Sequence, residues 1–80
     1  MKNNIGALCK VDIDGYANSY INSKEGKIED KIEFGNWLLK RFSGRGEAMV
    51  VNYDAENDNY RVEFADVDSI HVPSKFVTIL

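Results

Sequence analysis

The stretch Met49-Val50-Val51-Asn52-Tyr53-Asp54-Ala55-Glu56-Asn57-Asp58-Asn59-Tyr60-Arg61-Val62-Glu63-Phe64 decides the fold. Met49, Val51 and Tyr53 alternate along one run and Tyr60, Val62 and Phe64 along the next, which is the period of an extended strand. If Tyr53 pairs with Tyr60, Val51 stands opposite Val62 and Met49 opposite Phe64, so one register gathers these large apolar side chains on one face. The other face then carries Asn52 against Arg61 and Val50 against Glu63. The six residues from Asp54 to Asn59 form the loop, and all but Ala55 are turn formers or acids. Each cross-strand pair contributes roughly 0.2 to 1 kcal/mol over alanine, so the hairpin needs a further packing partner.

Toward the N-terminus, Cys9, Val11 and Ile13 alternate with Lys10, Asp12 and Asp14, which reads as a half-buried strand. Asp14-Gly15 suits a type I′ turn, and Tyr16 to Ile21 reads as the returning strand, although Ala17, Asn18 and Ser19 are poor strand formers. Between the two hairpins, Ile28, Ile32, Gly35, Leu39 and Phe42 recur at helical spacing beside Phe34 and Leu38, predicting a helix from about Glu29 to Phe42. Lys40 and Arg41 complement the dipole at its end and Ser43-Gly44 supplies a stop. In the competing reading, Gly26 closes a hairpin between Tyr20 and Ile28, and the helix starts only at Phe34. Beyond Phe64, Asp66 to Ser69 forms a turn, Ile70 to Val72 a short strand, and Phe76 to Leu80 a last strand. Pro73 cannot donate to a ladder and belongs at an edge or tight turn.

These elements predict a single α+β domain over residues 1–80: an antiparallel sheet of four or five strands with one helix packed on it. Its core would join Ile28, Ile32, Leu38, Leu39 and Phe42 to Met49, Val51, Val62 and Phe64. The segment Val72-Pro73-Ser74-Lys75-Phe76-Val77 resembles the closing segment of SH3-type small barrels, in which a proline opens a short 3-10 turn before the last strand. With the preceding hairpin the resemblance covers at most the last 34 residues. It implies a partly open SH3-like barrel, and it implies peptide-contacting positions at Pro73 and Phe76.

A chain of 80 residues buries only about 60 to 65 % of its unfolded surface, which leaves little room for a deep cleft beside a complete core. No apolar run approaches the roughly 18 residues of a membrane span, and Met1-Lys2-Asn3-Asn4 leads into no signal-peptide core, so a cytoplasmic location is expected. The lone Cys9 fits a reducing compartment. It alternates in phase with Val11 and Ile13, so it reads as a small buried hydrophobe rather than a nucleophile served by His71. Asp12, Asp14 and Gly15 do not make a calcium loop, because Lys10 and Ile21 would fall on ligand positions. One cysteine and one histidine do not make a structural zinc site, and Gly44-Arg45-Gly46 lacks the lysine of a phosphate loop. No metal or cofactor is expected.

The net charge of −3 is unevenly spread. Residues 27–46 carry Lys27, Lys31, Lys40, Arg41 and Arg45 against Glu29, Asp30 and Glu33, leaving +2. Residues 47–80 carry Arg61 and Lys75 against seven acids, leaving −5. The acidic set Asp54, Glu56, Asp58, Glu63, Asp66 and Asp68 would steer toward a basic partner. With no catalytic constellation, this points to a non-enzymatic protein-binding module or small inhibitor acting on a protein with a basic surface. A phage-type inhibitor that mimics DNA is one form of it. The alternative is a nucleic-acid-binding accessory protein using Trp37, Lys40, Arg41 and Arg45, the one basic cluster with aromatics beside it. A homodimer is compatible with so small a core.

Overall fold

The computed structural model describes residues 4–23, 26–45, 47–66 and 68–80. Its class is α+β, with two helices and a five-stranded antiparallel sheet that does not close. In chain order the elements are β1 (Leu8–Val11), α1 (Ile13–Ile21), α2 (Ile28–Phe42), β2 (Glu47–Asp54), β3 (Asn59–Phe64), β4 (Ser69–Pro73), a 3-10 turn (Ser74–Phe76) and β5 (Val77–Ile79). They form two compact units, one of the helices and one of the strands.

The sheet runs β4-β3-β2-β1-β5, every neighbour antiparallel. The expected β2–β3 hairpin is present and Tyr53 pairs with Tyr60, their rings 4.9 Å apart. Asn52 pairs with Arg61 as expected, and beyond that pair the expected register is wrong by one residue. Ladder partners step from Asn52 and Arg61 to Val50 and Val62, so Val51 is an extra residue, a β-bulge, and Ala48 rather than Met49 meets Phe64. The bulge reverses the parity of the first half of β2. Ala48 and Val50 turn inward and are buried, while Met49 is 44 % exposed. At the bulge the Tyr53 amide donates to the Asn52 side chain at 2.8 Å, so the broken ladder leaves that donor satisfied. Cys9, Ala48, Val50, Tyr60, Val62, Phe64, Ile70 and Val72 are the buried residues of the strands. Pro73 ends the edge strand β4 and leads into the 3-10 turn.

The helical unit holds two helices where one was expected. Residues 13–21 are α1, where Ile13 was expected to end a first strand, Asp14-Gly15 to turn and Tyr16 to Ile21 to return. Asp12 caps it, accepting from the Gly15 amide at 3.0 Å, and Gly15 does not have the positive φ that a type I′ turn needs. A β-carbon on Gly15 would collide with the Asp12 carboxylate, so glycine lets the cap fold close. Ile13 and Ala17 are the buried face of α1.

The second helix, α2, matches the long version of the expected helix, but its buried stripe is Lys31, Gly35, Leu38 and Phe42. Ile28 and Ile32, expected in the core, are 62 % and 43 % exposed. The stripe is displaced because α1 crosses at Gly35, where a β-carbon would collide with the Ile21 side chain. Glycine therefore gives up helix propensity, worth about 1 kcal/mol, for close approach of the helices. Lys31 tolerates burial because its ammonium donates to the carbonyl of Ser23, just past the end of α1. Ser43 closes α2, Gly44 follows at φ 80°, and the Ser43 hydroxyl donates to Asp14 at 3.0 Å.

Candidate functional site

The turn between β2 and β3 is built from its own acids. Asp54 pairs with Asn59, which shortens the expected six-residue loop to residues 55–58. One Asp54 oxygen accepts from the Glu56 amide at 3.1 Å and the other from the Asn57 side chain at 2.7 Å, an Asx-type turn. The Asn57 side chain and the backbone amides of Asn57 and Glu56, all donating to it, hold the Asp54 carboxyl below its ordinary range. Asp58 sits at φ 53°, a left-handed conformation that aspartate tolerates better than most residues. Its carboxylate accepts from the Tyr53 hydroxyl at 2.6 Å and from the Ser74 hydroxyl at 2.7 Å, while its carbonyl accepts from the Ser74 amide. That anion pushes the Tyr53 phenol up to about 12. Glu56 is exposed between the two anchored acids.

The remaining acids stand elsewhere. Asp66 and Asp68 lie in the turn after β3, where Arg45 pairs with both, holding the Asp66 carboxyl low and stacking its guanidinium 5.8 Å over Phe64. The β3 strand separates this turn from the first by about 17 Å at roughly 3.4 Å per residue. Glu63 projects from the outer sheet face, paired with Met49 and Ser69. The structure thus brings Asp54, Glu56 and Asp58 together and keeps Glu63, Asp66 and Asp68 apart from them.

Of the basic and aromatic cluster, Trp37, Lys40 and Arg41 share one face of α2 and line a shallow depression, whereas Arg45 is committed to the β3–β4 turn in the other unit. Across Trp37, a second open depression is lined by Asp30, Glu33 and Phe34. Trp37 is 45 % exposed, with its ring 5.7 Å from Phe34 and edge-on to buried Phe42 at 5.4 Å. Tyr20 from α1 continues the row, 4.4 Å from Phe34. Sequence reasoning missed Tyr20 and Phe34 because the i, i+4 pair Tyr16 and Tyr20 becomes a shared face only once residues 13–21 are helical.

Cys9 is buried, and that burial pushes its thiol up. His71 is exposed on the opposite face of β4, three strand spacings away, or about 14 Å. The two do not form a nucleophile and base. Among the described residues no three His, Cys, Asp or Glu side chains converge as metal ligands. None of the described helices is long and apolar enough to cross a membrane. No family model, curated protein or solved structure matches the chain.

Proposed function

We propose that this chain is a non-enzymatic protein-binding module, in its narrower form a small phage-type inhibitor mimicking DNA, that presents Asp54, Glu56 and Asp58 to a basic surface of a protein partner. The observation that carries this reading is the anchoring of the turn. Tyr53, Asn57 and Ser74 fix two of its three carboxylates before any partner arrives, so little ordering entropy is lost on contact. Glu63, Asp66 and Asp68 add to the long-range field rather than to the contact, and Arg45 offsets part of it. The buried lone thiol Cys9 is consistent with action in a reducing cytoplasm. The 3-10 turn at Ser74–Phe76 supports an SH3-like reading of the C-terminal segment.

Because Asp54 and Asp58 also hold the turn, the decisive variant is Glu56→Lys, an exposed residue. Affinity capture from the native cell identifies the partner, and titration of wild type and variant at two salt concentrations measures the effect. Weaker binding by Glu56→Lys, with a flatter salt dependence, supports the reading; unchanged affinity and salt dependence refute it. The second reading, nucleic-acid binding through Trp37, Lys40 and Arg41, draws on the exposed indole beside two cations. A gel shift that fades steeply with salt and with Trp37→Ala would favour it.

A further inference from the structure

The outward face of α2 carries a charge pattern that its own reverse would complement. Asp30, Phe34, Trp37 and Arg41 follow at spacings of four, three and four residues, one continuous stripe along the helix. Asp30 precedes Phe34 by as many residues as Arg41 follows Trp37. Glu33 sits beside the acidic end and Lys40 beside the basic end, so the depressions on either side of Trp37 have opposite sign. The aromatic centre is held before any contact, since Trp37 rests its edge on buried Phe42 and Phe34 stacks on Tyr20.

We infer that the occupant of this face is a second copy of the same chain, with its α2 running antiparallel about a twofold axis midway between Phe34 and Trp37. That axis sets each Asp30 opposite Arg41 of the second copy and each Phe34 opposite Trp37 of the second copy, an isologous contact in which every pairing occurs twice. The seam from Asp30 to Arg41 is about 16 Å long at 1.5 Å per residue, which makes a small interface with a dissociation constant on the order of tens of micromolar. A polyanion fits this face less well. It would meet Lys40 and Arg41 favourably, but stacking on Trp37 would bring it within a Debye length, roughly 8 to 10 Å, of Glu33, about 6 Å back along the helix. An arginine presents five N–H donors, so Arg41 can accept this pairing alongside contacts within its own chain.

Sedimentation of the full chain over a concentration series up to roughly 500 µM, about tenfold above the expected constant, tests the proposal. Wild type should dimerise, and more weakly at high salt. Asp30→Arg alone and Arg41→Asp alone should each stay monomeric. An equimolar mixture of the two should form a heterodimer, because the introduced arginine of one chain then faces the introduced aspartate of the other, and the native Arg41 of the first faces the native Asp30 of the second. Trp37→Ala, which alters no charge, should weaken wild-type dimerisation at least tenfold. Circular dichroism of each variant checks its helix content. A wild-type chain that remains monomeric throughout overturns the proposal, whatever the variants do. So does a mixture that fails to associate, or a monomer whose Trp37 fluorescence is quenched by a single-stranded oligonucleotide.

Discussion

Val51 is the residue on which the sheet turns. As a bulge it lets Tyr53 keep its partner while Ala48 and Val50, not Met49, enter the core. Val50→Ala is therefore expected to cost about 2 kcal/mol through lost burial and the cavity left behind, whereas Met49→Ala should stay within about 0.5 kcal/mol. Urea titration of the two variants decides the register; equal costs would contradict the bulge. At the turn, Tyr53 and Asp58 make a second residue-scale case. Because the folded phenol titrates at about 12, above its ordinary value near 10, its hydrogen bond stabilises the fold fully below pH 10 and is lost as pH rises toward 12. Asp58→Asn removes the charge and should bring the Tyr53 transition, followed by ultraviolet absorbance, back toward the ordinary tyrosine range.

Among elements, the helical hairpin shows how one glycine sets a crossing. Gly35 is a poor helix residue whose missing side chain leaves room for Ile21. Gly35→Ala should destabilise modestly, by less than about 1 kcal/mol, because Ile21 must change rotamer while the helix gains propensity. In an Ile21→Ala background the same change should stabilise by about 1 kcal/mol, since only the propensity gain is left. A double-mutant cycle followed by thermal melting measures this reversal of sign. The start of α1 is an equally local device, since Asp12 binds the Gly15 amide and so turns an apparent hairpin dipeptide into a helix cap.

For the whole molecule, charge placement matters more than net charge. Arg45 draws on Asp66 and Asp68, so the −5 of residues 47–80 is not all available to a partner. The Asp66 carboxyl titrates lower in the folded chain than in the unfolded one. Its contribution is therefore present above the ordinary aspartate range, near pH 4, and lost as pH falls through the depressed folded value. Arg45→Gln should accordingly be less stable than wild type at pH 7, with the gap narrowing toward pH 2. What then remains reflects the stacking on Phe64, which does not titrate. Denaturation at several pH values gives both numbers, and a gap independent of pH would contradict the ion pairs.

By itself the sequence determined the class, the β2–β3 hairpin with its Tyr53–Tyr60 pair, a helix ending at Phe42 and the place of Pro73 at an edge or tight turn, while the start of α2 stayed open between Glu29 and Phe34. These rest on local signals: turn formers between alternating runs, apolar residues at helical spacing up to Phe42 and a missing amide hydrogen. It also isolated the acidic turn, whose carboxylates are neighbours along the chain and so share a loop in any compact fold. Only the tertiary structure decided the bulge at Val51, the helix at residues 13–21, the pairing of Arg45 with Asp66 and Asp68 and the aromatic row from Tyr20 to Trp37. Each depends on which distant neighbour a residue meets. A one-residue slip reverses a strand's faces at little local cost, and the Asp12 to Ile21 segment carries strand and helix signals of similar strength. Packing, not propensity, resolves such ties.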